Sequence, residues 1–168
     1  MSLSMYQASV PVFVRALTNL RHVLQKGEAH AKAKGVTDAV LLQTRLIPDM
    51  LPLVKQVQIA CDMACRGSAR LAGEEPKSFE DNETTMAEVV DRIDRAIAYA
   101  QSFKAAQIDG SEARTIHLKM RSGEVSMDGQ SYLLQFIQPN LYFHCATAYN
   151  LFRGMGVEIG KNDFIGDI

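Results

Sequence analysis

Three stretches of this chain space their apolar residues alternately three and four apart, which commits much of the backbone to long amphipathic helices. The first stripe is Tyr6, Val10, Phe13, Leu17, Leu20 and Leu24; the second is Val54, Val57, Cys61, Ala64, Ser68 and Leu71; the third is Met86, Val89, Ile93, Ala96, Ala100 and Phe103. A helix with one apolar face must bury it against other elements, so the three have to pack together. The 168 residues suffice for a good-sized core without a metal or disulfide staple, and are too few for two such cores. A single domain over 1–168 is expected.

Local signals set the boundaries. The first helix runs to about Gly35, and Pro11 either marks the start of its regular part, with Ser9 near the cap, or kinks a helix that began at Ser4. Thr37 and Asp38 offer a cap for a short segment through Arg45, and Pro48 and Pro52 bend the chain before the second stripe. That stripe has small residues at its seam, where another helix can approach closely, and Gly73 supplies its stop. Thr85-x-x-Glu88 reads as a capping box opening the third helix.

Between Thr115 and Ile137 the period changes from helical to alternating. Ile116, Leu118 and Met120 interleave with Thr115, His117 and Lys119, while Ser122-Gly123 and Asp128-Gly129 supply turns, so a small β-hairpin is predicted. Pro139 and Asn140 then introduce a fourth helix with the stripe Leu141, Cys145, Ala148 and Phe152, ending at Gly154. A Gly-rich tail without helical periodicity follows. The expected fold is all-α: a four-helix bundle with a β-hairpin inserted before the last long helix.

Charge and hydropathy exclude several functions. Eighteen basic against 19 acidic residues leave a net charge of −1, and no polybasic block is assembled, which disfavours nucleic-acid binding. No apolar stretch approaches the roughly 20 residues of a membrane span, and the N-terminus lacks a signal pattern, so a cytoplasmic protein is expected. Three cysteines, an odd number without CxxC spacing, fit reduced thiols.

Arg45-Leu-Ile-Pro-Asp49-Met, Gln56-Val-Gln58-x-Ala-x-Asp62, Ala69-Arg-Leu-Ala-Gly73 and Pro139-Asn-x-Tyr142-x-His144, followed by Gly156-x-x-x-Gly160-Lys, span residues 45 to 166. With the four-helix pattern they resemble an uncharacterised bacterial branch of the DinB/YfiT-like superfamily of metal-dependent enzymes. For metal-binding members the resemblance implies one histidine from the second long helix and two, spaced HxxxH, from the last. This chain keeps His144, has Ala148 at the second HxxxH position, and has no histidine on the second long helix. The facing positions there are Gln58 and Asp62. One imidazole, one carboxylate and a neutral amide make a weak set beside a three-ligand zinc centre, so neither a metal nor another cofactor is expected.

Each candidate has two readings. His144 is a surviving ligand or general base, or a core histidine bonded across the bundle to Asp62 or Gln58. Gln58 and Asp62, four residues apart, share a helix face and would project into the same pocket, or simply form a polar flank. Cys61, Cys65 and Cys145 line a thiol-reactive or soft-metal site, or fill the core. His22, His30 and His117 have no neighbours at ligating spacing and read as surface residues. Gly154, Gly156 and Gly160 before Lys161 match no phosphate-loop pattern and read as a helix stop and tail. The expectation is a bundle with a reduced metal site that binds a small-molecule ligand or serves structurally, dimeric through an exposed helix face. The alternative is a metal- or thiol-dependent transferase or hydrolase using His144, and the third class is an interaction module.

Overall fold

The structure, a computed structural model, describes residues 3–120 and 123–167. Four long helices carry it: α1 (Val10–Ala33), α3 (Leu53–Ala72), α4 (Met86–Ser102) and α7 (Gln138–Gly154). Shorter elements lie between and after them: α2 (Asp38–Gln43), α5 (Ala105–Ile108), the strands β1 (Thr115–Met120) and β2 (Gly123–Asp128), α6 (Gly129–Ser131), a π-helical segment (Tyr132–Ile137) and α8 (Lys161–Ile165). α3 packs against α4 and α7, and α1 packs against the same two, which closes the bundle. Every predicted stripe position within these four helices is buried at their common centre, and the bundle with a hairpin before its last long helix is the observed fold.

Pro11 sits in the first turn of α1, where a missing N–H costs nothing, so it starts the helix and does not kink it. Ser9 occupies the N-cap position, but its hydroxyl donates to the Met5 carbonyl at 2.6 Å. Thr37 likewise makes no side-chain cap to α2; the Asp38 carboxylate instead accepts from Met86 N of α4 at 2.8 Å. The Thr85/Glu88 capping box forms as the sequence predicts, with Glu88 N donating to Thr85 Oγ1 at 3.2 Å and Thr85 N to Glu88 Oε2 at 2.9 Å. Gly73 ends α3 at φ +79°, a left-handed conformation that only glycine adopts cheaply.

The hairpin pairs antiparallel from Thr115↔Asp128 to Met120↔Gly123, with Ile116 and Leu118 turned inward. Of the predicted turn, Ser122 lies outside the described residues. The last long helix begins earlier than Pro139. Asp128, read from sequence as part of a turn, caps α6 by accepting from Ser131 N at 2.8 Å, and the chain stays helical from Gly129 onward. The reason for the π turn is local: in a regular α-helix the Pro139 ring would strike the carbonyl four residues back, and a wider turn before it relieves that clash. Asn140 Nδ2 donates to the Phe136 carbonyl at 2.6 Å, providing for one acceptor there. The tail also departs from expectation, because Lys161–Ile165 forms the short helix α8, pinned to α1.

Candidate functional site

The faces of α3 and α7 that meet in the bundle bring His144 to Gln56. His144 is 8% exposed, and its Nδ1 lies 2.7 Å from Gln56 Oε1. Gln56 Nε2 donates to the Leu51 carbonyl at 2.9 Å, which fixes the amide so that Oε1 is the acceptor. The hydrogen-bond network therefore assigns the proton to His144 Nδ1 and leaves the Nε2 lone pair free. Burial pushes the His144 pKa below the usual imidazole value, favouring this neutral form. The Phe143 ring stands edge-on to the imidazole, 5.2 Å between centroids.

Gln58 and Asp62 do not join His144. A helix turns about 100° per residue, so Gln58 lies about 200° and Asp62 about 240° around α3 from Gln56. They face α4 and the 73–85 loop, where Asp62 meets Arg92, whose side chain has no exposed surface, and Gln58 meets Glu83. Arg92 donates to Asp62 Oδ1 at 3.0 Å, to Glu83 Oε1 at 2.9 Å and to the Glu80 carbonyl at 2.9 Å, and pairs with Asp81 Oδ1 at 3.0 Å. Gln58 Nε2 completes the cluster by donating to Glu83 Oε2 at 2.7 Å. Burial raises the Asp62 pKa despite Arg66 and Arg92 beside it, whereas Asp81, also pushed up by burial, is held low by Lys55 and Arg92 together. Phe79 packs its ring under Arg92 and Arg95, 5.7 and 5.0 Å from their guanidinium carbons. Sequence reasoning passed over Gln56, Arg92 and Glu83. The third stripe held a signal for Arg92, which falls three residues after Val89 and four before Ala96, on the buried face.

Cys61, Cys65 and Cys145 are all free and buried. Burial pushes the Cys61 thiol well up and the Cys65 and Cys145 thiols to about 12, so all three stay protonated and unreactive near neutrality. His22 and His117 are exposed and His30 half-buried. Gly160 N donates to Asp163 Oδ2 at 2.7 Å, so the tail's own carboxylate takes the amide that a phosphate loop would offer.

On another side of α7, a cavity of about 160 Å³ opens between α1, α7 and α8. Ala16, Leu20, Val23, Cys145, Phe164 and Ile165 give it apolar walls, and Arg15, Asn19 and Tyr142 add polar edges. α8 is clasped over it: Arg15 Nη2 donates to the Ile165 carbonyl at 3.1 Å and Asn19 Nδ2 to the same carbonyl at 2.7 Å, while Lys26 and His22 pair with Asp163 Oδ1 at 2.6 and 2.9 Å.

Residues 5–165 match the family described as domain of unknown function (DUF1993). The chain belongs to the DUF1993 family. This DUF1993 chain is also similar to a crystal structure of a DinB family member protein from Shewanella denitrificans, with 38% identity and a TM-score of 0.88, over 97% of this chain and 92% of that one. No curated protein matches it. The DinB-like bundle is thereby shown, and with it the family resemblance read from sequence.

The donors of the DUF1993 chain do not fit a DinB-type three-histidine metal. Among the described residues no three His, Cys, Asp or Glu side chains converge as ligands. His144 has only Nε2 to offer, the Gln56 oxygen that could ligate is taken by His144 Nδ1, and Ala148, fully buried one turn past His144, has no ligating atom.

Proposed function

We propose that this DUF1993 chain is a DinB-like bundle with a reduced metal site that binds a small, largely apolar ligand between α1, α7 and α8. The cavity carries the reading: at about 160 Å³ with mostly apolar walls it matches the size, about 150 Å³, at which a dry cavity takes up one benzene-sized molecule. The donor set supports the other half, because among the described residues no second or third ligand converges beside the free Nε2 of His144, and Ala148 stands where the next histidine would be.

Thermal-shift and NMR titrations with benzene and indole test the ligand reading. Saturable binding with shifted resonances around Cys145 and Phe164, abolished by Ala16→Phe filling the cavity, is the expected result; probes that never perturb those residues would refute it. Metal analysis tests the other half, since stoichiometric zinc, nickel or iron that disappears in His144→Ala would overturn the non-metal reading.

One observation favours a second reading, an enzyme using His144 as general base: Nε2 keeps its lone pair and the ring is held neutral. Hydrolase or transferase turnover lost in His144→Gln, a variant that keeps an amide toward Gln56, would select it over the binding role.

A further inference from the structure

Away from the cavity and from His144, α3 and the 73–85 loop enclose a polar cleft of about 240 Å³, lined by Asp62, Arg66, Arg70, Pro76, Lys77 and Ser78. We propose that this cleft binds the phosphate group of a small molecule. Arg66 and Arg70 are four residues apart on α3 and therefore stack on one helix face, and the loop lays Lys77 and Ser78 against them.

The charge does not balance inside the cleft. Its only carboxylate, Asp62, has both oxygens committed, Oδ1 to Arg92 at 3.0 Å and Oδ2 to Arg66 at 2.9 Å. Among the described residues Arg70 and Lys77 have no carboxylate within salt-bridge reach. Two cations thus remain without counter-charge in a chain whose net charge is −1.

Arg70 is nevertheless held in place, by a neutral group. Its Nη1 donates to the Tyr132 hydroxyl at 3.4 Å, and that hydroxyl donates to the Arg66 carbonyl at 3.3 Å. Tyr132 is fully buried at the start of the π-helical segment, so the wide turn before α7 is what sets the phenol beneath the guanidinium. A phenol positions a guanidinium without neutralising it, which leaves the remaining N–H groups and the full charge for a ligand.

A phosphate monoester matches this arrangement better than a carboxylate. Its two negative charges answer the two uncompensated cations, and its three terminal oxygens can accept from a guanidinium fork, an ammonium and the Ser78 hydroxyl together. The cleft is also roomier than a single oxyanion requires, which leaves space for the organic part of an ester.

The test is calorimetric titration of the full chain at fixed ionic strength with inorganic phosphate, phenyl phosphate and acetate. Both phosphates are expected to bind saturably and acetate far more weakly. Tighter binding of phenyl phosphate identifies an ester as the source, and tighter binding of inorganic phosphate identifies the free ion. Arg70→Gln and Lys77→Gln should each weaken binding about tenfold by removing one charge-assisted contact. Lys77 is exposed and makes no side-chain bond, so Lys77→Gln leaves the melting temperature unchanged and remains informative even if Arg70→Gln disturbs Tyr132. No saturable phosphate binding, acetate binding as tight as phosphate, or an affinity that Lys77→Gln leaves untouched would each overturn the proposal.

Discussion

Gly27 of α1 lies flat against the Phe152 ring of α7, so close that a β-carbon built on the glycine would stand 2.1 Å from Cε1 of the ring. Phe152 is fully buried and has nowhere to retreat. Replacing a mid-helix glycine by alanine ordinarily gains about 0.5–1 kcal/mol, but overpacking a filled core costs about 1–3 kcal/mol. Gly27→Ala is therefore expected to lose stability, by about 1–2 kcal/mol in urea denaturation. Gly154→Ala is the control, because nothing lies within 4 Å of a methyl there, and it should be neutral or slightly stabilising. Equal effects of the two substitutions would count against the close approach of α1 and α7.

The His144–Gln56 bond makes a second prediction. Truncating His144 to Ala strands the Gln56 carbonyl, and Gln56→Ala strands the Nδ1 proton, each costing about 1–3 kcal/mol. In the double variant neither group is left unpaired, so the losses should fall short of additive by about 0.5 kcal/mol or more. His144→Ala combined with Gln58→Ala should simply add, since Gln58 donates to Glu83 and not to the histidine. A double-mutant cycle from chemical denaturation decides between them, and coupling between positions 144 and 58 would contradict the assigned faces of α3.

Helical periodicity made the four long rods legible, because burial of one face is a property of spacing alone. It also placed His144 inside. What spacing could not give was azimuth. Gln56 and Gln58 differ by two residues and hence by more than half a turn, and only the packing of α7 on one side and α4 on the other decides which of them meets the histidine. Arg92 was hidden for a different reason: a charged residue inside an apolar stripe is read as an interruption until the carboxylates that neutralise it, two of them from an irregular loop, are seen in space. Pro139 was legible as a helix-start signal, yet the wide turn preceding it let the helix begin ten residues earlier at Gly129.

Two titrations should separate in a stability–pH profile. Burial depresses the His144 pKa in the folded state below 6.5, so between 6.5 and that lower value the unfolded chain binds more protons. Stability should consequently fall as pH drops below about 6.5 and level off once the folded histidine also protonates. Asp163 is depressed below the ordinary 3.8 by its hydrogen bonds from Lys26 and Gly160 N, so its contribution is fully present above 3.8 and disappears only in stronger acid. His144→Gln should flatten the upper window and leave the acid limb, while Asp163→Asn should shrink the acid limb without abolishing it, because Asp81, Glu88 and Asp128 are also held low, and leave the upper window. A His144→Gln profile that keeps the upper slope would show that another group causes it.

Arg92 is expected to be the costliest single position to truncate. Its guanidinium is the common partner of Asp62, Asp81 and Glu83, and the Glu83 side chain is only 2% exposed. Arg92→Ala would leave that buried carboxylate with only the half-exposed Arg95 at 3.9 Å, and removing the principal partner of a buried ion pair typically costs about 3–5 kcal/mol. Neutralising the stranded partner should recover part of the loss, so Arg92→Ala with Glu83→Gln is predicted to be more stable than Arg92→Ala alone. The same network anchors the 73–85 loop to α4 through the Glu80 carbonyl, and the loop carries Lys77 and Ser78. Hydrogen exchange in that loop should therefore accelerate in Arg92→Ala while amides at the His144 end of α7 stay protected. Uniform loss of protection across both regions would instead mean that Arg92 supports the whole bundle and not this one wall of it.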